Sequence, residues 1–583
     1  MFLATTADQR FWKKDEKILF LGEWCKIYDQ RHIWSKLDSE VLPYHWDNRE
    51  QLHQDFLLLQ GVYERYLKLI AEQLNEIHQV DRSIRYWRII IGYWLFHFIP
   101  ILYDRYKSVC TAARSGKVTN TWIMPPSLGG MTARDFDNFV EFFLSDEYNQ
   151  YLYSELITAL GQIPFEVVEP EFAPAQIQEP EFNGSWTHKL ARQLLWGYAE
   201  YVPGRLNKVI FIENGSLATT AKLELALGQF PYLFPRRVTP PKLEVDHSIR
   251  KRLMLRAARN EFESLLDKFI PAHIPTTYLE GYEEMHQRSL ESLPKRPAVI
   301  VTANAFSGNE AFKFWAAHQV EQKARLCIVQ HGGHYGSGLW SAVEEHEIEI
   351  SDRFYTWGWR KQGEKRTVPL PAVKLRRFDG VKPDPSGGIL WVQMSMPRYS
   401  YFMYSVPVGP QTIAYFAEQR QFLESLSPAA RELLLLRLYP QNYGWNDGNR
   451  WKGIDPALKL YQGREPIQAH LSQSRLAINT YNATTFLETL SANFPTIIFW
   501  NPRHWELRPT AQPFFDELSR VGIFHDTPES AAGKVNAIYE DVLSWWHEPE
   551  LQAVKDRFCR EFAGTGPGWL TAWKKELAEQ TRG

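Results

Sequence analysis

The sequence predicts an α/β protein with two parallel-sheet halves and extra helices toward the N-terminus. Three observations carry this expectation. Short runs rich in Val, Ile and Leu recur along the chain and stop at Gly, Asn, Ser or Pro, as buried parallel strands do. Between them lie segments with apolar residues at helical spacing. The same grammar restarts after Arg360–Gly388, a stretch dense in Lys, Arg, Pro and Gly, and 583 residues exceed one ordinary core. The expected units are therefore residues 1–375, residues 386–545, and a helical tail over 546–583 that crosses back to the first unit.

Composition narrows the function. Hydrophobic residues make up 44% of the chain and charged residues 23%, so it folds as a globular protein. A net charge of −2 leaves no footprint for nucleic acid. The four cysteines, Cys25, Cys110, Cys327 and Cys559, form no CxxC pair, which argues against a zinc site or disulfide framework and fits a reducing compartment. No signal peptide is legible at the N-terminus. The most apolar segment, Ile89–Leu102, is interrupted by Gly92, His97 and Pro100 and falls short of the roughly 20 residues of a spanning helix. The expected location is cytoplasmic, with peripheral contact at the inner face of the plasma membrane left open. The 22 Trp suit sugar stacking, although core packing accounts for most of them.

In chain order, the run from Lys17 ends at Gly22 and Glu23, a first strand with an acid at its exit. Asn48–Leu74 and Arg82–Tyr106 have helical spacing. Asp135-Phe136-Asp137 has the DxD pattern of a cation site, but acids opening a helix explain it more simply, and no metal site is expected. Lys208–Ile212 is a strand leaving Asn214 and Ser216 at its end. Ala298–Gly338 holds a strand, a turn with Asn304 and Ser307, a helix, and a second strand that stops at Gln330-His331-Gly332-Gly333-His334. Ligands of parallel sheets sit at the carboxyl ends of the strands, where these groups fall. Two imidazoles flanking two glycines bring proton-transfer groups and bare backbone N–H groups to one place. His331 or His334 is the expected general base or anion ligand, with Glu23 as the alternative base.

After the boundary, Ile389–Met394 is a strand with Arg398 in its exit, and Leu433–Leu438 is a strand carrying Arg437 and ending in Tyr439-Pro440. Leu476–Asn479 leads to Asn482-Ala483-Thr484-Thr485 at a helix start, with Glu488 one turn on. Free N–H groups there favour a phosphate, the carboxylate can accept both ribose hydroxyls, and Arg398 and Arg437 can neutralise a diphosphate. A capped helix with a local Glu488 salt bridge is the simpler alternative.

NATTFLETL and TIIFWNP are similar to the C-terminal pattern of GT-B glycosyltransferases and related glycerol-phosphate transferases, although the usual Gly of the turn is replaced by Asn482-Ala483-Thr484. More narrowly, FLGEWC, RYWRIIIGYWL, QHGGHYG and DRFYTWGW resemble a family of surface-carbohydrate transferases encoded in O-antigen loci. The resemblance implies two Rossmann-like domains in GT-B fashion. It also implies glycosyl transfer from a nucleotide-sugar donor to a polysaccharide, lipopolysaccharide or lipid-linked glycan acceptor, with no cofactor beyond that substrate. Three alternatives stay open: a glycerol- or ribitol-phosphate transferase, a nucleotide-sugar epimerase, and a non-catalytic glycan-binding assembly protein. Oligomeric state is not legible.

Overall fold

The computed structural model describes residues 1–125, 131–169, 209–212, 232–233, 238–401, 403–463 and 465–582. Its strands form three parallel sheets rather than the two expected. The first contains β1 (Phe2–Ala4), β2 (Ile18–Phe20), β3 (Ser39–Val41), β4 (Asn120–Ile123) and β5 (Phe165–Val167), in the order β3-β2-β1-β4-β5. The second contains β6 (Val209–Ile212), β7 (Tyr232–Leu233), β8 (Val299–Thr302), β9 (Arg325–Val329), β10 (Arg353–Thr356) and β11 (Thr367–Pro369), in the order β11-β10-β9-β8-β6-β7. The third contains β12 (Gly388–Val392), β13 (Leu434–Arg437), β14 (Lys459–Tyr461), β15 (Ser474–Asn479), β16 (Thr496–Phe499) and β17 (Phe524–His525), in the order β14-β13-β12-β15-β16-β17.

These orders define where ligands can sit. Counted within itself, the third sheet runs 3-2-1-4-5-6, the doubly wound order in which the chain reverses direction between its first and fourth strands. The reversal opens a crevice at the carboxyl ends of β12 and β15. The second sheet runs 6-5-4-3-1-2, the other common doubly wound order. As expected, β8, the helix Glu310–Glu321 and β9 form one βαβ unit, with Val301 opposite Cys327.

Two long helices join the sheets. Asn48 caps Arg49–His78 by accepting from the Gln51 N–H at 3.2 Å, and the helix ends at Gln79 with φ 55°, a left-handed cap. Ser83 caps Ile84–Arg114 by accepting from the Tyr86 N–H at 3.2 Å. This second helix is apolar around much of its circumference and packs against helices of the first two sheets, so it is the centre of the main core. No helix among the described residues is long and apolar enough to cross a membrane. The buried charge pair of the helix Ile84–Arg114 is compensated: Asp104 accepts from Tyr44 and Arg105, each at 2.7 Å, and Arg105 also donates to Asn149 and to the Ser400 carbonyl.

The Arg360–Gly388 stretch differs from the exposed boundary that its composition suggests. It contains β11 and a 3-10 turn over Val373–Phe378 in which Val373, Leu375 and Phe378 are buried. The apolar residues between its Pro, Lys and Arg pin it to the sheets. The last helix, Trp569–Gln580, packs Trp569, Trp573 and Leu577 on the second sheet, and Tyr355 donates to Glu576 at 3.2 Å.

Candidate functional site

The carboxyl ends of the second and third sheets meet directly. The turn after β9 lies on the start of the helix Thr484–Ser491: the Gly333 N–H donates to Thr484 Oγ1 at 3.0 Å, and Ser337 and Asn482 exchange hydrogen bonds at 3.2–3.3 Å. A Cβ at Gly333 would overlap the Ala483 carbonyl, so glycine is required there by the close approach of two backbones. Asn482 and Thr484 thus hold the His-Gly turn rather than an open anion site. The helix start that the sequence offered to a phosphate is already engaged.

The two histidines of the turn are placed differently. His334 adopts φ 73°, and its Nε2 lies 3.0 Å from Ser405 Oγ, fastening the turn to the exit of β12. Burial lowers its pKa to about 4, opposed by the Ser405 carbonyl and helped by Arg508. His331 keeps 30% of its side-chain surface, with Nδ1 3.5 Å from the Tyr335 hydroxyl and 3.7 Å from Glu347 Oε1. Burial of the ring, with Lys374 nearby, pushes its pKa down to about 3 against a hydrogen bond to the Ala303 carbonyl, so the imidazole is neutral near pH 7. Glu347 is sealed from solvent, accepts from Tyr335 at 2.7 Å, and is raised well above the usual carboxylate range by burial. The arrangement is a neutral imidazole facing a carboxyl that favours its acid form.

A cleft of about 520 Å³ opens beside this turn, at the carboxyl ends of β12, β13 and β15. Arg377, Gln393, Arg437, Tyr439, Thr485 and Glu488 are among its lining residues. Its volume is in the range of sites for small organic ligands. Glu488 is buried and accepts from Arg377 through Oε1, a partner from the turn before β12 rather than the local one that the sequence suggests. Arg437 donates to His470 at 3.1 Å and to the Glu465 carbonyl at 2.7 Å. Thr485 shares a 2.9 Å hydrogen bond with the Tyr481 hydroxyl. Gln393 accepts from Trp451 at 3.0 Å, while its buried Nε2 has no partner among the described residues.

Other expected site residues lie elsewhere. Arg398 is a correction: its guanidinium is buried outside the cleft, binding Asp146 at 2.7 Å, the Tyr443 carbonyl at 2.9 Å and the Trp24 carbonyl. It cross-links the first sheet to the third, because the chain after β12 turns toward Trp24 rather than along the crevice. Glu23 stands at the exit of β2, 3.5 Å from Lys26 and near Arg450. Asn304 opens the short helix Ala305–Gly308, where its carbonyl accepts from Ser307 Oγ at 2.8 Å. Asn214 and Ser216 fall outside the described residues. Asp135 caps the helix Phe136–Leu144 through the Asn138 N–H at 2.9 Å. The described residues contain no group of three or more His, Cys, Asp or Glu side chains able to hold a metal ion.

Sequence reasoning missed Arg377, Gln393, Tyr335 and Glu347. Arg377 sits in the stretch read as a boundary, and Glu347 lies inside a helix where nothing local marks it as facing His331.

Two doubly wound sheets whose carboxyl ends meet, with a cleft at the switch point of the later one and the last helix returning to the earlier one, form a GT-B-like α/β architecture. The chain matches the family described as LIC12162 family transferase over residues 1–577 and belongs to it. It is a transferase. No curated protein matches the sequence. Among solved structures it is similar to MurG of Acinetobacter baumannii, at 11% identity over 64% of this chain and 99% of that one, with a TM-score of 0.30. It is also similar to the catalytic domain of starch synthase IV from Arabidopsis thaliana, at 10% identity over 64% and 99%, with a TM-score of 0.32. WaaG, a glycosyltransferase involved in lipopolysaccharide biosynthesis, matches at 12% identity over 52% and 95%, with a TM-score of 0.27.

Proposed function

We propose that the protein transfers a glycosyl group from a nucleotide-activated donor to a surface glycan or a lipid-linked glycan. The observation that carries this reading is the cleft at the switch point of the third sheet, where a buried carboxylate, Glu488, lies among cationic and aromatic side chains. Glu488 accepts the ribose hydroxyls, and Arg377 and Arg437 supply positive charge at the diphosphate. An acceptor hydroxyl entering from the side of the His-Gly turn attacks the anomeric carbon. The new carbon–oxygen bond forms as the bond to the diphosphate breaks, the diphosphate leaves with the electron pair, and His331 takes the hydroxyl proton. All four cysteines are free, in keeping with action in the cytoplasm.

The test is a thermal-shift panel of UDP-, GDP-, CDP-, ADP- and dTDP-sugars together with CDP-alditols, since a ligand of the folded state raises the melting temperature. At least one nucleotide sugar should stabilise the protein. Glu488→Gln should weaken that ligand by about one to two orders of magnitude, the share of a hydrogen bond to a charged group. Stabilisation by a CDP-alditol alone would assign phosphoalditol transfer instead, and unchanged affinity in Glu488→Gln would remove this residue from the site.

A further inference from the structure

The cleft contains one ion pair that a ligand reaching Glu488 has to disturb. Glu488 keeps 4% of its side-chain surface and lies beneath Arg377, which keeps 37%. Glu488 Oε1 accepts from Arg377 Nη2, and Oε2 has no hydrogen-bond partner among the described residues. The other lining guanidinium is held by uncharged partners, because Arg437 donates through Nη1 to His470 and through Nη2 to the Glu465 carbonyl. Of the two, only Arg377 has its anionic partner inside the cleft, and only Arg377 is tied to a group that a ligand would claim. The orphaned Gln393 Nε2 donor in the cleft lining is a second sign that a polar ligand completes the site.

The geometry points to Arg377 as the residue that makes the cleft select a phosphorylated nucleoside over the nucleoside alone. The inference rests on the reading of this cleft as the donor site. In the free protein the guanidinium covers Glu488 and neutralises it. When a nucleoside diphosphate enters, ribose hydroxyls replace Arg377 at the carboxylate, and the released guanidinium pairs with the diphosphate. An unphosphorylated nucleoside offers only the first half of that exchange. It trades a charge-assisted pair for neutral donors and leaves the cation without a partner, so it binds poorly. A diphosphate gives the planar guanidinium two phosphate oxygens to bind bidentately and restores the balance.

Calorimetric titration of UDP, GDP, CDP, ADP and dTDP, each beside its nucleoside, tests this in the wild type and in Arg377→Gln and Arg377→Lys. The wild type should prefer its diphosphate over the nucleoside by about 100-fold or more, the scale of one or two charge-assisted contacts. In Arg377→Gln the diphosphate should bind about 10- to 100-fold more weakly, while the nucleoside should bind as well or several-fold better because Glu488 is uncovered. Arg377→Lys should recover part of the diphosphate affinity. Equal losses for both ligands, or no change in either, would overturn the assignment of Arg377 while leaving the donor site standing. Failure of every diphosphate to bind the wild type would overturn both.

Discussion

Replacing His331 by alanine should lower turnover by about 10²–10⁴-fold, the share that general acid–base catalysis usually supplies, while donor affinity stays close to wild type. The ring is not among the residues that line the donor cleft, and its neutral state is set by burial, with Lys374 adding to the effect. That depressed pKa has a consequence for pH. A base must be unprotonated to act, so an ordinary imidazole would lose activity as the pH falls through 6.5, whereas His331, with a pKa lowered to about 3, keeps its accepting lone pair well below that. The acid limb of kcat/KM should therefore lie well under pH 6.5. Full activity in His331→Ala would exclude it as the base, and a parallel loss of donor binding would make it a ligand instead. His334→Ala is the control: its ring holds Ser405, so its loss should loosen the turn and lower the melting temperature.

The second large effect concerns stability. Arg105→Met should destabilise the protein by about 3–5 kcal/mol, because it leaves a buried carboxylate uncompensated. Asp104 is 2% exposed, and burial already raises its pKa against the pull of Arg105 and Tyr44. The same guanidinium donates to Asn149 and to the Ser400 carbonyl, so its removal also orphans groups on two other elements. The double variant Asp104→Asn/Arg105→Met should recover much of the loss, since no buried charge is then left. Denaturant unfolding reads both. A loss below about 1 kcal/mol in the single variant would mean that water or a rearranged partner solvates Asp104.

The second and third sheets were legible because most of their strands are apolar runs of four to six residues ended by turn-forming residues, a signal local to the sequence. The first sheet was not. β1, β2, β3 and β5 have three residues each, too few to show a period, and only the run at β2 was recognised. The reading of the site divides along the same line. Glu488, Thr485 and Arg437 stand at strand exits and a helix start, which are local features, and all three line the cleft. Arg398 also stands at a strand exit, but its direction is decided by Asp146 and Trp24, hundreds of residues away in sequence. Thr484 has the right local chemistry, yet the glycines of another sheet reach it first. Arg377 was hidden by composition: a Lys-, Arg- and Pro-rich stretch reads as solvent-facing until its apolar residues are seen to anchor it.

The first sheet places the earliest strand in its middle, with β1 between β2 and β4 and Phe2 opposite both Ile18 and Asn120. A ribosome therefore delivers the central strand first and its second neighbour more than a hundred residues later, after both long helices. Until β4 emerges, β1 has one open edge, and the sheet is complete only with β5. At ordinary elongation rates that interval is on the order of ten to thirty seconds, long enough for an unpaired apolar edge to need shelter from other nascent chains. Arrested chains ending before Asn120 should stay protease-sensitive and bind holdase chaperones, whereas chains extending past Val167 should gain resistance over β1. Protection of β1 in the shorter chains would show that the strand finds cover without its later neighbour.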